Sequence, residues 1–436
     1  MRRSAVLALV AVVVAAVLAV SGAFAIGDGT RNPRRAAGLD VDPAALATAA
    51  DLGASIAALQ DHLRAQPRDA RSWATLGLAY VEQARITGDP TYYPKAAGVL
   101  RRSLDEQPED NAAALAARAA LDSARHDFGA ALRAARAALR INPYELGALS
   151  IQVDALTELG RYGEALDALG QADRRRPSLQ IFARYSYAHE LRGDQREAAA
   201  LLDRSLEGAS TAADRAYLLT LRADLDRKAG RLGLAERDLG EAVRSDRDTL
   251  AATASQARLA VALGDLDRAE RVWRGLVDRA PLPSYVLELA ELLEATGRRR
   301  QAQAQYAVLE ATARLARGSG VNIELETARY EADHGSAAAA LRAARAAWSA
   351  APSIWSADAL GWALHRTGRD EAAIRHARAA TRLGTEDALL WIHRGSIEAA
   401  LGLPSATGHL HRGLAGDPGL SPWQAEQARR VLATLR

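Results

Sequence analysis

Helical runs of apolar and polar residues fill most of the chain, and glycine interrupts them at regular intervals. The stretches LTELGRYGEAL, AVALGDLDRAE and LEATGRRRQAQ share one pattern. In each, a helical run is followed by a glycine, one or more polar residues and, five positions after the glycine, an alanine. Glycine just past a helix can adopt positive φ and end it. The pattern therefore predicts pairs of helices joined by short turns at the glycines.

Eight of these glycines recur with a period near 34 residues, because the intervals between them are 33, 37, 34, 33, 38, 33 and 34. A period of this length over eight units is typical of stacked helical hairpins. The two long intervals predict longer loops, one of which is GSGVN at 318–322. The period-marking glycines are Gly160, Gly193, Gly230, Gly264, Gly297, Gly335, Gly368 and Gly402.

Two columns of small residues accompany the glycines, and they predict that the paired helices approach each other closely. The column five positions after each glycine comprises Ala165, Ala198, Ala235, Ala269, Ala302, Ala340, Ala373 and Thr407. The column seven positions before each glycine comprises Val153, Ser186, Ala223, Ala257, Ala290, Ala328, Gly361 and Gly395. Proline stops helices, and the prolines expected at the ends of second helices are Pro143, Pro177, Pro281 and Pro352.

At this point the chain resembles the tetratricopeptide repeat (TPR) family. The residues that follow its pattern in order are Trp73, Leu76, Gly77, Tyr80, Ala96 and Pro108. LGRYGEAL at 159–166 matches a later unit, and Trp391 and Gly395 open the last one in the same way. The resemblance implies an all-α, right-handed α-solenoid of about ten hairpins over residues 51–420. The insertion TGDPTYY interrupts the first unit, and residues 111–143 have a weak first helix.

Both ends of a solenoid need a cap, because the terminal repeats would otherwise expose an apolar face. SIAALQDHLRAQP, at 55–67, is expected to form a lone second helix before the first hairpin. Residues 421–436, SPWQAEQARRVLATLR, are expected to form a capping helix at the C-terminal end.

The N-terminus has the pattern of an export segment. Arg2 and Arg3 precede an uncharged run from Ala5 to Ile26, and Ala23-Phe24-Ala25 has the form of a cleavage site. Residues 1–26 are therefore interpreted as a signal peptide, or as an uncleaved anchor that associates with the membrane. A buried core helix is the remaining alternative. Residues 27–42 are polar and contain glycine and proline, so residues 27–50 are interpreted as a linker.

Composition agrees with a helical protein and narrows its chemistry. Alanine, leucine, arginine and glutamate favour helices. The net charge is only +3, which is weak for a nucleic-acid-binding surface, so no nucleic-acid partner is predicted. The chain contains no cysteine, which excludes disulfides, thiol catalysis and cysteine-bound metals.

One segment, RYEADHGSAAAAL at 329–341, looks at first like a catalytic or metal site. Glu331, Asp333 and His334 lie within four residues, directly before the period-marking Gly335. A histidine in the last turn of a helix suits the helix dipole, and no HExxH or comparable ligand set lies nearby. The segment is interpreted as the end of a first helix. No catalytic residue, metal site or cofactor is predicted, and the protein is not expected to be an enzyme.

The family resemblance implies that the first helices line a concave groove. The residues six positions before each glycine, and those one turn further on, are polar, charged or aromatic, as peptide recognition requires. The alternative is that each is a solvated side chain. The predicted partner-binding positions, called the groove residues below, are Asp154, Tyr187, Asp224, Arg227, Lys228, Arg258, Glu291, Arg329, Trp362 and His365.

The leading functional hypothesis is a non-catalytic scaffold or assembly factor that binds a protein or peptide outside the cytoplasm. The second is an extracytoplasmic sensor for a small ligand or a cell-wall fragment. An aromatic pocket around Trp355 and Trp362, which are seven residues apart and share a helix face, would favour the sensor.

Overall fold

The structure is a computed structural model that describes residues 49–247 and 249–435. Over these ranges the chain forms 22 α-helices and no β-strand, which confirms the all-α fold. None of the helices in these ranges is long and apolar enough to cross a membrane. The apolar run at 5–26 and almost all of the 27–50 linker lie outside the described residues.

Twenty of the described helices pair into ten consecutive hairpins, which confirms a solenoid of this size. The first helices are α2 (Ala70–Thr87), α4 (Ala112–Ala124), α6 (Leu146–Glu158), α8 (Leu179–Glu190), α10 (Ala212–Lys228), α12 (Leu250–Ala262), α14 (Pro283–Ala295), α16 (Glu324–His334), α18 (Ile354–Arg366) and α20 (Ala388–Ala400). The second helices are α3 (Tyr92–Glu106), α5 (Phe128–Ile141), α7 (Tyr162–Arg175), α9 (Gln195–Glu207), α11 (Leu232–Ser245), α13 (Leu266–Arg279), α15 (Arg299–Gly318), α17 (Ala337–Ala350), α19 (Asp370–Ala380) and α21 (Ala406–Gly416). The single helices at the ends are α1 (Ala49–Ala65) and α22 (Pro422–Ala433).

Glycine ends the first helix in the left-handed conformation at seven of the eight period-marking positions, with φ between 66° and 81°. At two of them an aspartate follows and caps the second helix. Asp194 Oδ1 accepts a hydrogen bond from the Glu197 N–H at 3.2 Å, and Asp265 Oδ1 accepts one from the Arg268 N–H at 2.9 Å. A Gly-Asp pair therefore ends one helix and begins the next.

Gly335 is the exception, because it ends α16 with φ at −129°. Here Glu331 Oε2 accepts a hydrogen bond from the Ser336 N–H at 2.7 Å and closes the turn. A Cβ atom on residue 335 would lie 2.2 Å from that oxygen. Glycine at this position therefore makes room for the Glu331 carboxylate, rather than supplying a positive φ.

The small-residue columns are buried where the two helices of a hairpin face each other. Ala198 is fully buried, and a Cβ atom on Gly361 would lie 3.1 Å from the backbone nitrogen of Ala377. In the last hairpin the prediction is wrong by one residue. Thr407 is exposed, whereas Ala406 is buried in its place.

The two long intervals come mainly from longer helices rather than longer loops, although residues 319–322 of GSGVN do lie in the loop between α15 and α16. α10 has 17 residues and α15 has 20, whereas α12 has 13 and α13 has 14. The alanine-rich stretch 111–143, which looked weak in sequence, contains a complete hairpin of α4 and α5. His126 takes a positive φ of 58° at its turn, in place of glycine. The missing glycine explains why this hairpin stands outside the periodic pattern.

Successive turns of the superhelix touch each other. Ring nitrogen Nδ1 of His126 lies 2.9 Å from the carbonyl oxygen of Asn322, 196 positions later. The Ile354 N–H donates a hydrogen bond to Tyr162 Oη at 2.9 Å, over 192 positions. Loops that precede late first helices therefore rest on the turns of early hairpins. These turn-to-turn contacts join early hairpins to late ones.

Candidate partner-binding surface

The groove residues all lie on first helices, and several form ion pairs between one first helix and the next. Arg184 on α8 donates from Nε and Nη2 to the two carboxylate oxygens of Asp154 on α6, at 2.7 and 2.6 Å. The Lys228 Nζ on α10 donates to Glu190 Oε1 on α8 at 2.6 Å. The Arg184 side chain is only 2% exposed, so the first pair is buried, whereas the second is about one-quarter exposed.

The same arrangement continues through the middle of the solenoid. Arg258 on α12 binds the Glu288 carboxylate on α14 through Nε and Nη2, at 3.1 and 2.6 Å. Its guanidinium also lies over the ring of Trp273, 5.6 Å from the centroid. Asp224 on α10 accepts a hydrogen bond from the Ser255 hydroxyl on α12 at 2.9 Å. Polar side chains thus link consecutive first helices along the inner surface.

Two other groove residues contact the C-terminal end of the chain. Arg227, which is 3% exposed, forms an ion pair with Asp417. Glu291, which is 4% exposed, accepts a hydrogen bond from Gln424 Nε2 at 3.2 Å. The predicted capping helix is present as α22, but it packs against α14 as well as against α20 and α21. It therefore reaches into the groove, beyond the last repeat.

His334 is the centre of this contact. Its Nε2 lies 3.1 Å from Glu291 Oε1, and its Nδ1 lies 3.0 Å from Tyr306 Oη. Its ring lies against those of Tyr306, Tyr330 and Trp423, with centroids 4.7, 6.1 and 4.5 Å away. The histidine of RYEADHGSAAAAL is therefore a buried packing residue that joins α14, α15, α16 and α22.

Tyr187 and Arg329 meet at Trp355, where two turns of the superhelix pack together. Tyr187 and Trp355 flank an apolar cluster that contains Tyr162 and Ile354. Burial raises the pKa of Tyr187 well above its usual value. The Arg329 guanidinium lies 5.9 Å from the centroid of the Trp355 ring. Trp355 therefore belongs to the contact between turns.

Trp362 and His365 form an aromatic stack on α18. The Trp362 ring lies parallel to that of His393, at 4.1 Å between centroids, and 4.9 Å from that of His365. Its Nε1 donates to Asp333 Oδ1 at 2.8 Å. His365 Nδ1 lies 2.5 Å from Asp370 Oδ1 in the same hairpin. Trp362 therefore connects three first helices, α16, α18 and α20.

The structure thus places all ten groove residues on first helices, and each of the ten contacts another part of the chain. Sequence reasoning missed the inner residues from the C-terminal segment, which are Asp417, Trp423 and Gln424. It also missed the role of Asp333, which accepts hydrogen bonds from both Trp362 and Gln424. The available signal was a tryptophan and a Pro-Gly turn in DPGLSPW, at 417–423, which runs from the end of the predicted solenoid into the expected capping helix.

A small cavity of about 40 Å³ lies between the turns of the superhelix. Its lining includes His126, Phe128, Glu158 and Glu326, and neither Trp355 nor Trp362. Its size is far below the roughly 300–1,000 Å³ typical of small-molecule sites. The cavity therefore does not favour the sensor hypothesis.

Glu158, which lines this cavity, is expected to make stability depend on pH. Burial, with the nearby carboxylates of Asp154 and Glu326, raises its pKa to about 8, although Arg329 opposes the shift. A glutamate in the unfolded chain has a pKa of about 4.3. The folded state therefore keeps this proton while the unfolded state loses it. Stability falls as the pH rises from about 4.3 to 8, by at most ~1.4 kcal/mol per pH unit.

Glu158→Gln removes this titration. The melting temperature of the wild type should fall relative to that of Glu158→Gln between pH 5.5 and 7.5. Above pH 8 the difference in melting temperature should stay constant. Glu371→Gln, at an exposed position, controls for the loss of one negative charge. Parallel pH profiles for the wild type and Glu158→Gln would contradict the buried, protonated carboxyl.

The described residues include no group of three or more histidine, aspartate or glutamate side chains that could hold a metal ion. The acid–histidine segment at 331–334 is accounted for by contacts within the protein.

Comparisons with known proteins found similar solved structures but no matching protein-family model and no matching curated protein. The structure of the Cut9–Hcn1 hetero-tetramer of the APC/C has 16% identity and a TM-score of 0.44, covering 89% of this chain and 83% of that one. PilF of Pseudomonas aeruginosa has 22% identity and a TM-score of 0.37, covering 55% and 99%. The human IFIT1 dimer with PPP-AAAA has 15% identity and a TM-score of 0.46, covering 84% and 86%.

All three TM-scores lie below 0.5, so the assignment of the fold rests on the hairpins themselves. Ten hairpins, the glycine turns and the two buried columns of small residues define a helical-repeat solenoid. The motif residues in the first and last units follow the TPR pattern, so the hairpins resemble those of a TPR-type solenoid.

Proposed function

We propose that the protein is a non-catalytic scaffold that binds protein or peptide segments on the inner surface of its solenoid. The observation that supports this proposal is the assembly of charged and aromatic groove residues from successive first helices on a single surface. Such surfaces recognise extended or helical segments through charge pairs and aromatic anchors. The role would be that of an assembly factor outside the cytoplasm.

Half-buried ion pairs on this surface give a partner a means of binding. Arg258 and Glu288 are 28% and 25% exposed, and Lys228 and Glu190 are 28% and 26% exposed. A carboxylate on a partner can replace Glu288 on the planar guanidinium of Arg258 and form the same two hydrogen bonds. The existing ion pair keeps the arginine in place before the partner arrives, which lowers the entropy cost of binding.

The proposed location outside the cytoplasm rests on the N-terminal sequence. Arg2, Arg3 and the apolar run that follows have the composition of an export segment. N-terminal sequencing of the mature protein from fractionated cells tests this part. A new N-terminus near residue 26 indicates a cleaved signal, and an intact one in the membrane fraction indicates an anchor. Intact protein in the cytoplasmic fraction alone would overturn the proposed location.

The binding surface can be tested by mild crosslinking and co-purification from the native cell. The test variant combines Asp224→Ala, Arg258→Ala and Trp362→Ala, which remove groove side chains from α10, α12 and α18. We expect it to lose specific partners. The matched control combines Arg204→Ala, Glu236→Ala and Arg268→Ala, which remove exposed charges from the second helices α9, α11 and α13.

Circular dichroism of both variants shows whether the helices are retained. An unchanged set of partners for a folded test variant would contradict the groove assignment. Nuclease treatment before crosslinking removes proteins held indirectly through nucleic acid. Loss of every partner on this treatment would favour nucleic acid over protein as the ligand of the surface.

A further inference from the structure

The segment Asp417–Gln424 contacts four consecutive first helices, α10, α12, α14 and α16. Asp417 pairs with Arg227 on α10, and Gly419 packs against the carbonyl of Arg258 on α12. Gln424 donates to Glu291 on α14 at 3.2 Å. The path follows the solenoid from one hairpin to the next, as an extended peptide in a repeat groove would.

The backbone of the segment approaches the groove too closely for a side chain at one point. A Cβ atom on Gly419 would lie 2.8 Å from the carbonyl oxygen of Arg258 and 2.5 Å from Nη1 of Arg227. The Gly419 N–H also donates to Asp417 Oδ1 at 2.8 Å, so the turn presents its carboxylate to Arg227. Gly419 therefore orients the Asp417 carboxylate that pairs with Arg227.

The far end of the segment is held by an aromatic ring and an amide. The Trp423 ring lies 4.5 Å from that of His334, between centroids. Gln424 Nε2 donates to Asp333 Oδ2 at 3.1 Å in addition to its bond with Glu291. Aromatic anchors in desolvated sites are the groups that dominate binding energy at interfaces.

From these contacts we infer that Asp417–Gln424 is a built-in ligand of the groove, which an external partner of the same chemistry displaces. That partner is a peptide segment with a carboxylate, then a glycine, then an aromatic residue in this order. The segment covers the side chains of two groove residues, Arg227 and Glu291, and packs against the backbone of a third, Arg258. The inference rests on the proposed function and adds to it the partner's chemistry and a means of control.

Gly419→Ala in the full chain tests this inference, because the new methyl group displaces the segment and leaves the groove unchanged. The probe is a fluorescein-labelled synthetic peptide of residues 415–428, AGDPGLSPWQAEQA. Its dissociation constant is measured by fluorescence anisotropy. Gly419→Ala should bind the peptide about tenfold or more tightly than the wild type, because the wild-type groove is mostly occupied.

Gly408→Ala is the matched control, since a Cβ atom there meets nothing within 4 Å. It should bind the peptide as the wild type does. A peptide with alanine in place of the tryptophan should bind Gly419→Ala at least about tenfold more weakly than the parent peptide, as expected for an aromatic anchor. Asp417→Asn is a second variant of nearly the same shape, and it should also bind the parent peptide more tightly than the wild type.

Equal affinity of all the chains for the peptide, or no binding by any of them, would overturn the inference. This result is distinguishable from failure of the proposed function. If the peptide does not bind but the crosslinked partners still depend on the groove residues, only the built-in ligand is excluded. If the peptide binds but the partners do not depend on the groove residues, the proposed function fails.

Discussion

Replacing Asp154 with alanine should destabilise the hairpins around α6 and α8 by about 3 to 5 kcal/mol, the usual cost of leaving a buried charge without its partner. Arg184 is almost fully buried and donates two hydrogen bonds to Asp154. Its other hydrogen bond goes to the Gln180 carbonyl oxygen at 2.9 Å, which cannot neutralise the charge. Native-state hydrogen exchange of the amides in α6 and α8 measures the local loss.

An exposed ion pair provides the control for this prediction. Glu197 and Arg204 are 46% and 61% exposed, so Glu197→Ala should cost no more than about 1 kcal/mol. Combining Asp154→Ala with Arg184→Met should restore much of the stability, because no unpaired charge then remains buried. An equal, small loss of stability for Asp154→Ala and Glu197→Ala would show that the Asp154–Arg184 pair is solvated.

Gly160→Ala should be the most damaging of the glycine substitutions, at roughly 2 to 5 kcal/mol. The residue has φ at +70°, and its new Cβ atom would lie 2.2 Å from the carbonyl oxygen of Pro352. A backbone carbonyl cannot rotate away as a side chain can, so the two turns of the superhelix must separate. We expect a lower free energy of unfolding in urea and a larger radius of gyration by small-angle X-ray scattering.

Gly230→Ala separates the cost of the backbone conformation from the cost of the collision. Its φ is +72°, nearly the same, but nothing lies within 4 Å of the new Cβ atom. Its expected cost is therefore only the ~1–2 kcal/mol of a left-handed residue, with no change in the radius of gyration. If the two variants behaved alike, Gly160 would not lie at a contact between turns.

The hairpins could be predicted from sequence because their determinants are local and repeated. A glycine that ends a helix and an alanine that permits close packing both lie within one unit, so their period is visible in the chain. The period also placed the groove residues on first helices. Departures from the repeat were harder to predict. His126 takes the place of a turn glycine, and the extra residues of the long intervals lengthen α10 and α15.

The ion pairs between first helices have a regular spacing in the sequence. Asp154 and Arg184 are 30 positions apart, as are Arg258 and Glu288. A spacing of 30 is one repeat of about 34 residues less one helical turn of about four. Opposite charges 30 positions apart on first helices therefore predict ion pairs between neighbouring repeats. Scanning for complementary charges near the repeat period is therefore informative in a solenoid.

The contacts between turns could not be predicted in the same way. The separations of His126 from Asn322, of Tyr162 from Ile354 and of Arg227 from Asp417 are 196, 192 and 190 positions. Each depends on the sum of small rotations over several hairpins, and no single repeat encodes that sum. The position of α22 against α14 has the same origin. Sequence alone therefore predicts a concave groove, but not the contacts that join its early and late hairpins.

Closure of the superhelix is tested most directly by amide hydrogen exchange at Ile354 in the full-length protein. This N–H belongs to the first turn of α18, where no intrahelical acceptor exists, and its partner is Tyr162 Oη on an earlier turn. We predict that Ile354 exchanges slowly, and that Tyr162→Phe abolishes its protection while leaving that of Asn322, which donates to the Arg125 carbonyl oxygen, intact. Exchange of Ile354 in the wild type at the rate of an open helix end would contradict a closed superhelix.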